Sequence, residues 1–310
     1  MEDNHAQQKK GMGLIILSAV LFGFMPLFAK IAYAHGNNAY TLSFHRFFFG
    51  SIVMFLIVHF VQKNSIRIKP REMKSIFYLS LPFAFTPVLL YASYNYISSG
   101  LATTLHFCYP IMVIIICAVF LKDRPSQKKI ICCLLCTLGI VMFYTPGGQI
   151  SVWGMAVALI SGLVYAAYIV LLDKSFLRRV APLTLAFWMT AFSAAEVGIV
   201  TLCMGKMVWS LDSTGWAVSF ILAVLITVVA VVAFQRGTAI CGAQKASLLS
   251  TFEPLTSVVI GIALLGETLS GRTLLGIACI LFSIILLIIE PTTKTPEHNQ
   301  QSKENADRPL

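Results

Sequence analysis

The stretch ATTLHFCYPIMVIIICAVFLKDRPS at residues 102–126 returns as ASLLSTFEPLTSVVIGIALLGETLS at residues 246–270. The two copies align without a gap at an offset of 144. Pro110 meets Pro254, Leu121 meets Leu265, Asp123 meets Glu267 and Ser126 meets Ser270. A proline and an acid matched at the same places argue for an internal duplication, not a chance likeness between oily segments. Each copy is also long and apolar enough to span a bilayer, whose hydrocarbon core of about 30 Å takes about 20 helical residues.

Working outward, ten such apolar stretches follow one another, at 12–34, 41–61, 76–97, 101–121, 130–146, 152–173, 183–204, 216–235, 244–265 and 273–290. Hydrophobic residues make up 57% of the chain and charged residues 12%, where a soluble chain carries about 25% charged. Mean hydropathy is +0.81. The fold class is therefore an all-α integral membrane protein with ten transmembrane helices. Pro82 and Pro87 interrupt the third span; with Pro110 and Pro254 they are read as structural kinks.

The net charge of +10 invites a nucleic-acid reading, but the positions of the charges argue against it. Of the 23 Lys and Arg residues, 19 sit before the first span, in alternate connections, or in the tail. The other set of connections holds only Lys206 and Arg272. This is the positive-inside bias. It predicts a multi-pass protein of the cytoplasmic membrane with both termini in the cytoplasm, which requires an even number of spans. Ten spans divide into two fives, and five is odd, so the second copy must be inverted relative to the first. Asp123 then falls on the cytoplasmic side and Glu267 outside. The expected organisation is a cytoplasmic segment at 1–11, a five-helix repeat at 12–146, a second at 152–290, and a disordered cytoplasmic tail at 291–310. No cleavable signal peptide is expected, because the first apolar stretch is too long. The eight cysteines show no zinc-ligand spacing and read as buried apolar residues.

The same residues carry a resemblance to a known family. Glu253-Pro254, an apolar run, then Leu265-Gly266-Glu267-Thr268-Leu269 resembles the second-half signature of the EamA-type transporters of the drug/metabolite transporter superfamily. Tyr109-Pro110 through Leu121-Lys122-Asp123-Arg124 resembles the first-half version, with Lys-Asp where Gly-Glu is commoner. Phe22-Gly23, Lys30 and Arg46 also fit. The resemblance covers about residues 12–290. It implies two inverted five-helix repeats around a central cavity, and carriage of small polar metabolites, often outward. It leaves the substrate open, since the family's substrates range from amino acids to drugs and nucleotide-type solutes.

Glu253 is the foremost candidate for chemistry. A carboxylate at bilayer depth costs about 2.5–3.5 kcal/mol on insertion scales, so it should face a cavity or a partner. Ser247, Ser250, Glu253 and Ser257 step by three, three and four along one helical face. Pro254 cannot donate a backbone hydrogen bond and frees the carbonyl near Ser250. At the repeat offset Thr103, His106 and Tyr109 match Ser247, Ser250 and Glu253, giving the fourth helix its own polar stripe. A histidine there can titrate near physiological pH or serve as a hydrogen-bonded core residue. Glu196 is the other carboxylate within a span, on a face with Thr190 and Ser193. Lys30 can snorkel to the surface. Arg46 can pair with Glu196 or Glu253, or bind an anionic substrate group. Tyr91, Tyr94, Asn95 and Tyr96 end the third span, where interfacial tyrosines are the ordinary reading; Asn95 can instead line a cavity mouth. Tyr165 and Tyr168 can line the cavity.

No HExxH, GxSxG or GxxxxGKS/T motif occurs, so protease and P-loop chemistry find no support. The reading is not an enzyme and needs no cofactor or metal. It is a secondary transporter exporting an amino acid or similar small metabolite, with proton exchange at Glu253 supplying the drive. The partners implied are a small-molecule substrate, the lipid bilayer and a coupled proton, without nucleic acid; a homodimer stays open. The alternatives are an uncoupled facilitator or multidrug efflux carrier of the same fold, and a membrane scaffold or sensor with no flux.

Overall fold

The apolar runs fold as helices in a computed structural model that describes residues 2–61, 66–122, 125–143, 151–241, 246 and 249–289. The helices of the first half are α1 (Glu2–Gly23), α2 (Met25–Ala34), α3 (Ala39–Leu56), α4 (Pro70–Ser93), α5 (Ser99–His106), α6 (Tyr109–Phe120) and α7 (Gln127–Phe143). Those of the second half are α8 (Val152–Lys174), α9 (Pro182–Cys203), α10 (Ser213–Leu222), α11 (Val231–Cys241), α12 (Phe252–Ala263) and α13 (Gly271–Ile289). Short π-helical runs extend α3 (Ile57–Val61) and join α10 to α11 (Ala223–Ala230). Seven helical runs are long and apolar enough to cross a membrane: α1 with α2, α3, α4, α5 with α6, α8, α9, and α10 through α11. The shorter α12 and α13, with α7, complete the ten spans. Asp123, Ser247 and the tail at 291–310 lie outside the described residues.

Two expectations about span interiors change. Pro82 and Pro87 do not interrupt the third span: α4 runs through both. The Thr86 hydroxyl donates to the Pro82 carbonyl at 2.8 Å, the kind of local compensation that lets membrane helices tolerate proline. The fourth span, by contrast, is broken at Phe107–Cys108, and the ninth within one residue of the matching place, at Ser250–Thr251. In both, the proline sits in the first turn of the helix after the break, where its missing N–H does no harm. The first span breaks at Phe24 ahead of Pro26. Its counterpart α8 has no proline and runs unbroken.

Packing follows the duplication. Under exchange of the two halves, the extensive contacts of α7 with α13 and of α3 with α9 map onto themselves. The contact of α4 with α8 maps onto that of α11 with α1, and α8 with α5 and α6 maps onto α1 with α12.

Two glycines bring backbone close to the paired helix breaks. A Cβ at Gly162 would lie 2.7 Å from the His106 carbonyl oxygen. That carbonyl is the one Pro110 leaves without its helical donor, so α8 presses bare backbone against it. We expect Gly162→Val to lower stability by about 1–3 kcal/mol through overpacking, read as a lower melting temperature in detergent. An unchanged melting temperature would show that α8 can withdraw freely. At Gly23 a Cβ would meet Thr256 at 2.4 Å and the Glu253 carbonyl oxygen at 2.9 Å. The Phe22-Gly23 pair thus docks α1 directly onto the turn that carries Glu253.

Candidate functional site: a charged cavity between the halves

A cavity of about 750 Å³ lies between the two halves. The paired helix breaks bring Glu253 and Ser250 from the second half, and His106 and Tyr109 from the first, to its wall. Glu253 occupies the first turn of α12, where the helix dipole favours negative charge. Arg46 reaches the same cavity from α3. Its Nε donates to Thr227 Oγ1 at 3.2 Å and its Nη1 to the Tyr91 hydroxyl at 3.2 Å. Among the described residues the ion pairs are Lys30–Glu267 and His35–Asp212, so Arg46 and Glu253 face the cavity without forming one. Buried charged groups are ordinarily paired; here a guanidinium and a carboxyl group stand apart on one cavity wall.

The rest of the wall is largely aromatic and apolar. Phe22, Phe83, Tyr165, Tyr168 and Phe234 contribute rings. Tyr109 and Tyr165 meet edge to face with centroids 4.8 Å apart. His106 Nδ1 lies 2.9 Å from Ser161 Oγ. Ser161 has a single O–H, which donates to the Ala158 carbonyl at 2.6 Å. With the Ser161 hydrogen on Ala158, a proton on His106 Nδ1 completes the contact with Ser161. His106 is thus a satisfied histidine held by α8 at the cavity edge.

Other candidates lie elsewhere. Ser257 is buried and donates to the Gly23 carbonyl at 3.1 Å, tying α12 to α1 instead of lining the cavity. Thr103 is buried 3.4 Å from the Tyr94 hydroxyl. Asn95 is exposed in the turn after α4. Tyr91 and Tyr94 are buried core residues, not interfacial ones, whereas Tyr96 is exposed. Glu196 is buried between α9 and α4, away from the cavity lining. Of the two residues that orient Arg46, Tyr91 was read from sequence as an interfacial tyrosine and Thr227 was not singled out. A lone threonine in an apolar helix was the only available signal for Thr227.

At one end of the bundle the helices are tied to one another. Gly266, at φ +64°, lets the chain turn back so that the Glu267 N–H donates to the Gly261 carbonyl at 2.9 Å. The Glu267 carboxylate then accepts from the Ser99 backbone N–H (2.8 Å) and hydroxyl (3.0 Å), and pairs with Lys30 Nζ at 2.9 Å. Lys30 therefore holds an acid instead of snorkelling to the surface. Nearby, Asp212 caps α10; its bond from the Gly215 N–H, then His35, holds its carboxyl below the usual range. Toward the other end the cavity reaches Leu177, Val180 and Leu185, beside the basic α8–α9 connection. We expect Glu267→Ala to lower stability by about 1–3 kcal/mol, because it strands buried donors on α5. A melting temperature equal to that of the unmodified protein would remove the tie from the argument.

The model of the EamA-like transporter family matches residues 9–145 and, a second time, residues 152–289. The chain belongs to the EamA-like transporter family. It is a multi-pass membrane transporter. An uncharacterized transporter of Synechocystis sp. is 26% identical, over 93% of this chain and 96% of its own. One of Archaeoglobus fulgidus is 27% identical, over 89% and 95%. The threonine/homoserine exporter RhtA of Salmonella typhimurium is 25% identical, over 73% and 75%. A solved crystal structure with 14% identity covers 89% of this chain and 96% of its own at a TM-score of 0.61, a likeness of fold. The EamA signature residues have visible work in this chain. Pro110 and Pro254 break the paired helices, Gly23 admits α1 to the Glu253 turn, and Leu265-Gly266-Glu267 builds the tie at one end.

Proposed function

We propose that this EamA-type transporter is a secondary active exporter of an amino acid or similar small zwitterion across the cytoplasmic membrane, driven by proton exchange at Glu253. The observation that supports it most is the pair of unjoined charges, Arg46 and Glu253, in one cavity. A guanidinium recognises a carboxylate by paired hydrogen bonds, and a carboxylate recognises an ammonium. A zwitterion satisfies both poles at once. When it leaves, a proton on Glu253 neutralises the charge left behind, and this alternation couples the two fluxes. The related threonine/homoserine exporter is consistent with that class. The double family match favours two repeat units at 12–146 and 152–290, with both termini cytoplasmic by the distribution of Lys and Arg. In that orientation the cavity reaches toward the cytoplasm and the Lys30–Glu267 tie closes the outer end.

A second reading is multidrug efflux, favoured by the aromatic wall around an acid. Proteoliposomes loaded with a pH dye separate the two when challenged with neutral amino acids, nucleosides and cationic drugs. Proton movement triggered by amino acids supports the proposal, and movement triggered by cationic drugs alone overturns it. Solute uptake with no proton movement would make the chain a facilitator.

A further inference from the structure

Glu196 stands apart from the cavity, in a setting that favours its neutral form. Its Oε1 lies 2.5 Å from Ser80 Oγ across the α4–α9 interface. The same Ser80 Oγ lies 2.7 Å from the Phe77 carbonyl oxygen in its own helix. Both contacts are hydrogen-bond distances between oxygens. Serine has one hydrogen to give. The Phe77 carbonyl and an ionised Glu196 would compete as acceptors for that one hydrogen. A proton on the Glu196 carboxyl supplies the second hydrogen, with Ser80 Oγ accepting it.

The surroundings agree. Glu196 is 6% exposed, and among the described residues no donor reaches its Oε2. An anion would leave a charged oxygen bare in an apolar interior; the neutral acid leaves only a carbonyl lone pair. The Ser80–Glu196 contact sits between two apolar clusters, one built on Phe47, Ala84 and Val197, the other on Ile76, Leu79 and Met189. The titratable and charged groups of the helices packed on α9 are Tyr40, His45, Arg46 and His59 from α3 and its extension, and Arg71, Glu72, Lys74, Tyr78 and Tyr91 from α4. None of them forms a hydrogen bond or ion pair with Glu196 among the described residues.

A polar stripe on α9 leads from the cavity wall toward the acid. Thr190 lines the cavity. Ser193 follows one step of three residues later on α9, and Glu196 one step after that, each step rising about 4.5 Å along the same side of the helix. Ser193 Oγ is fully buried and has no hydrogen-bond partner among the described residues. The stripe runs from the cavity wall to the acid.

We propose that Glu196 is a second proton-binding site, outside the substrate cavity, loaded from it along the Thr190–Ser193 stripe. In loading, a hydronium ion in the cavity gives its proton to the Glu196 carboxylate and leaves as water. A use in coupling rests on the proton-exchange reading above, but proton binding at Glu196 does not.

The test is infrared spectroscopy of the full-length protein in lipid vesicles, following the C=O stretch that a protonated carboxyl shows and a carboxylate lacks. At neutral pH we expect such a band to vanish in Glu196→Gln and to persist in Glu253→Gln. We expect it to shift on transfer to D₂O, at least tenfold more slowly in Ser193→Val. Glutamine keeps the shape of the acid and a donor for Ser80, so the variant should fold; an unaltered melting temperature checks this. A band unchanged in Glu196→Gln, or one lost in Glu253→Gln instead, overturns the assignment. A Glu196 band that never shifts in D₂O means a sealed structural acid and overturns the exchange with the cavity. A failure of Glu253 in the transport assay leaves these outcomes readable.

Discussion

Glu253→Gln yields a folded transporter that still exchanges labelled amino acid for unlabelled but no longer moves it in response to a pH gradient. Glutamine matches the protonated carboxyl in shape and neutrality, so the turn after Ser250 and the docking of Gly23 on the Glu253 carbonyl survive. What disappears is the charged form, and with it the alternation between proton and solute. Gradient-driven flux should fall about 100-fold, equivalent to ~2.7 kcal/mol, while exchange stays within about threefold. The comparison is made in the same vesicles, with and without the gradient. Unchanged pH dependence would take coupling away from Glu253 and leave it as part of the helix break.

Arg46→Gln raises the half-saturating solute concentration about 30- to 100-fold, the loss of about 2–3 kcal/mol expected when a buried charged hydrogen-bond pair loses one member. The guanidinium is held from two other helices by Thr227 and Tyr91, so it is pre-oriented and little entropy is spent on binding. Specificity supplies the sharper measurement. Removing the carboxylate from the solute, leaving the corresponding amine, should weaken binding to the unmodified protein by a similar factor. It should barely affect binding to Arg46→Gln, because the partner is already gone. Equal penalties in both proteins would mean that Arg46 does not hold the carboxylate. Thr227→Val is the control: it loosens Arg46 without removing the charge, and its effect should be the smaller.

The candidate site was legible in unequal parts. Glu253, Ser250, His106 and Tyr109 were found because a carboxylate in an apolar run is conspicuous and the repeat offset named its counterparts. Their meeting at one cavity follows from the matched helix breaks. Ser257 shares the helical face yet turns to α1, because a face is wide enough to hold both a cavity and a helix contact. Arg46 was visible, but its pairing with Tyr91 and Thr227 was not: Thr227 is more than 180 residues away and unremarkable in its own segment. Glu196 was visible as a buried acid. Its reading as a proton-binding group depends on Ser80, 116 residues distant, which has one hydrogen for two acceptors.

The sequence by itself determined the solvent, the ten spans, the duplication and its inversion. These rest on local hydropathy, on charge at the span ends and on the parity of five, none of which needs to know what touches what. Only the tertiary structure decided which polar groups share the cavity, which are spent on each other, and that Lys30 closes on Glu267 while Arg46 and Glu253 stay apart. Such partnerships are set by distances between helices remote in the chain, and periodicity along a single helix carries no record of them.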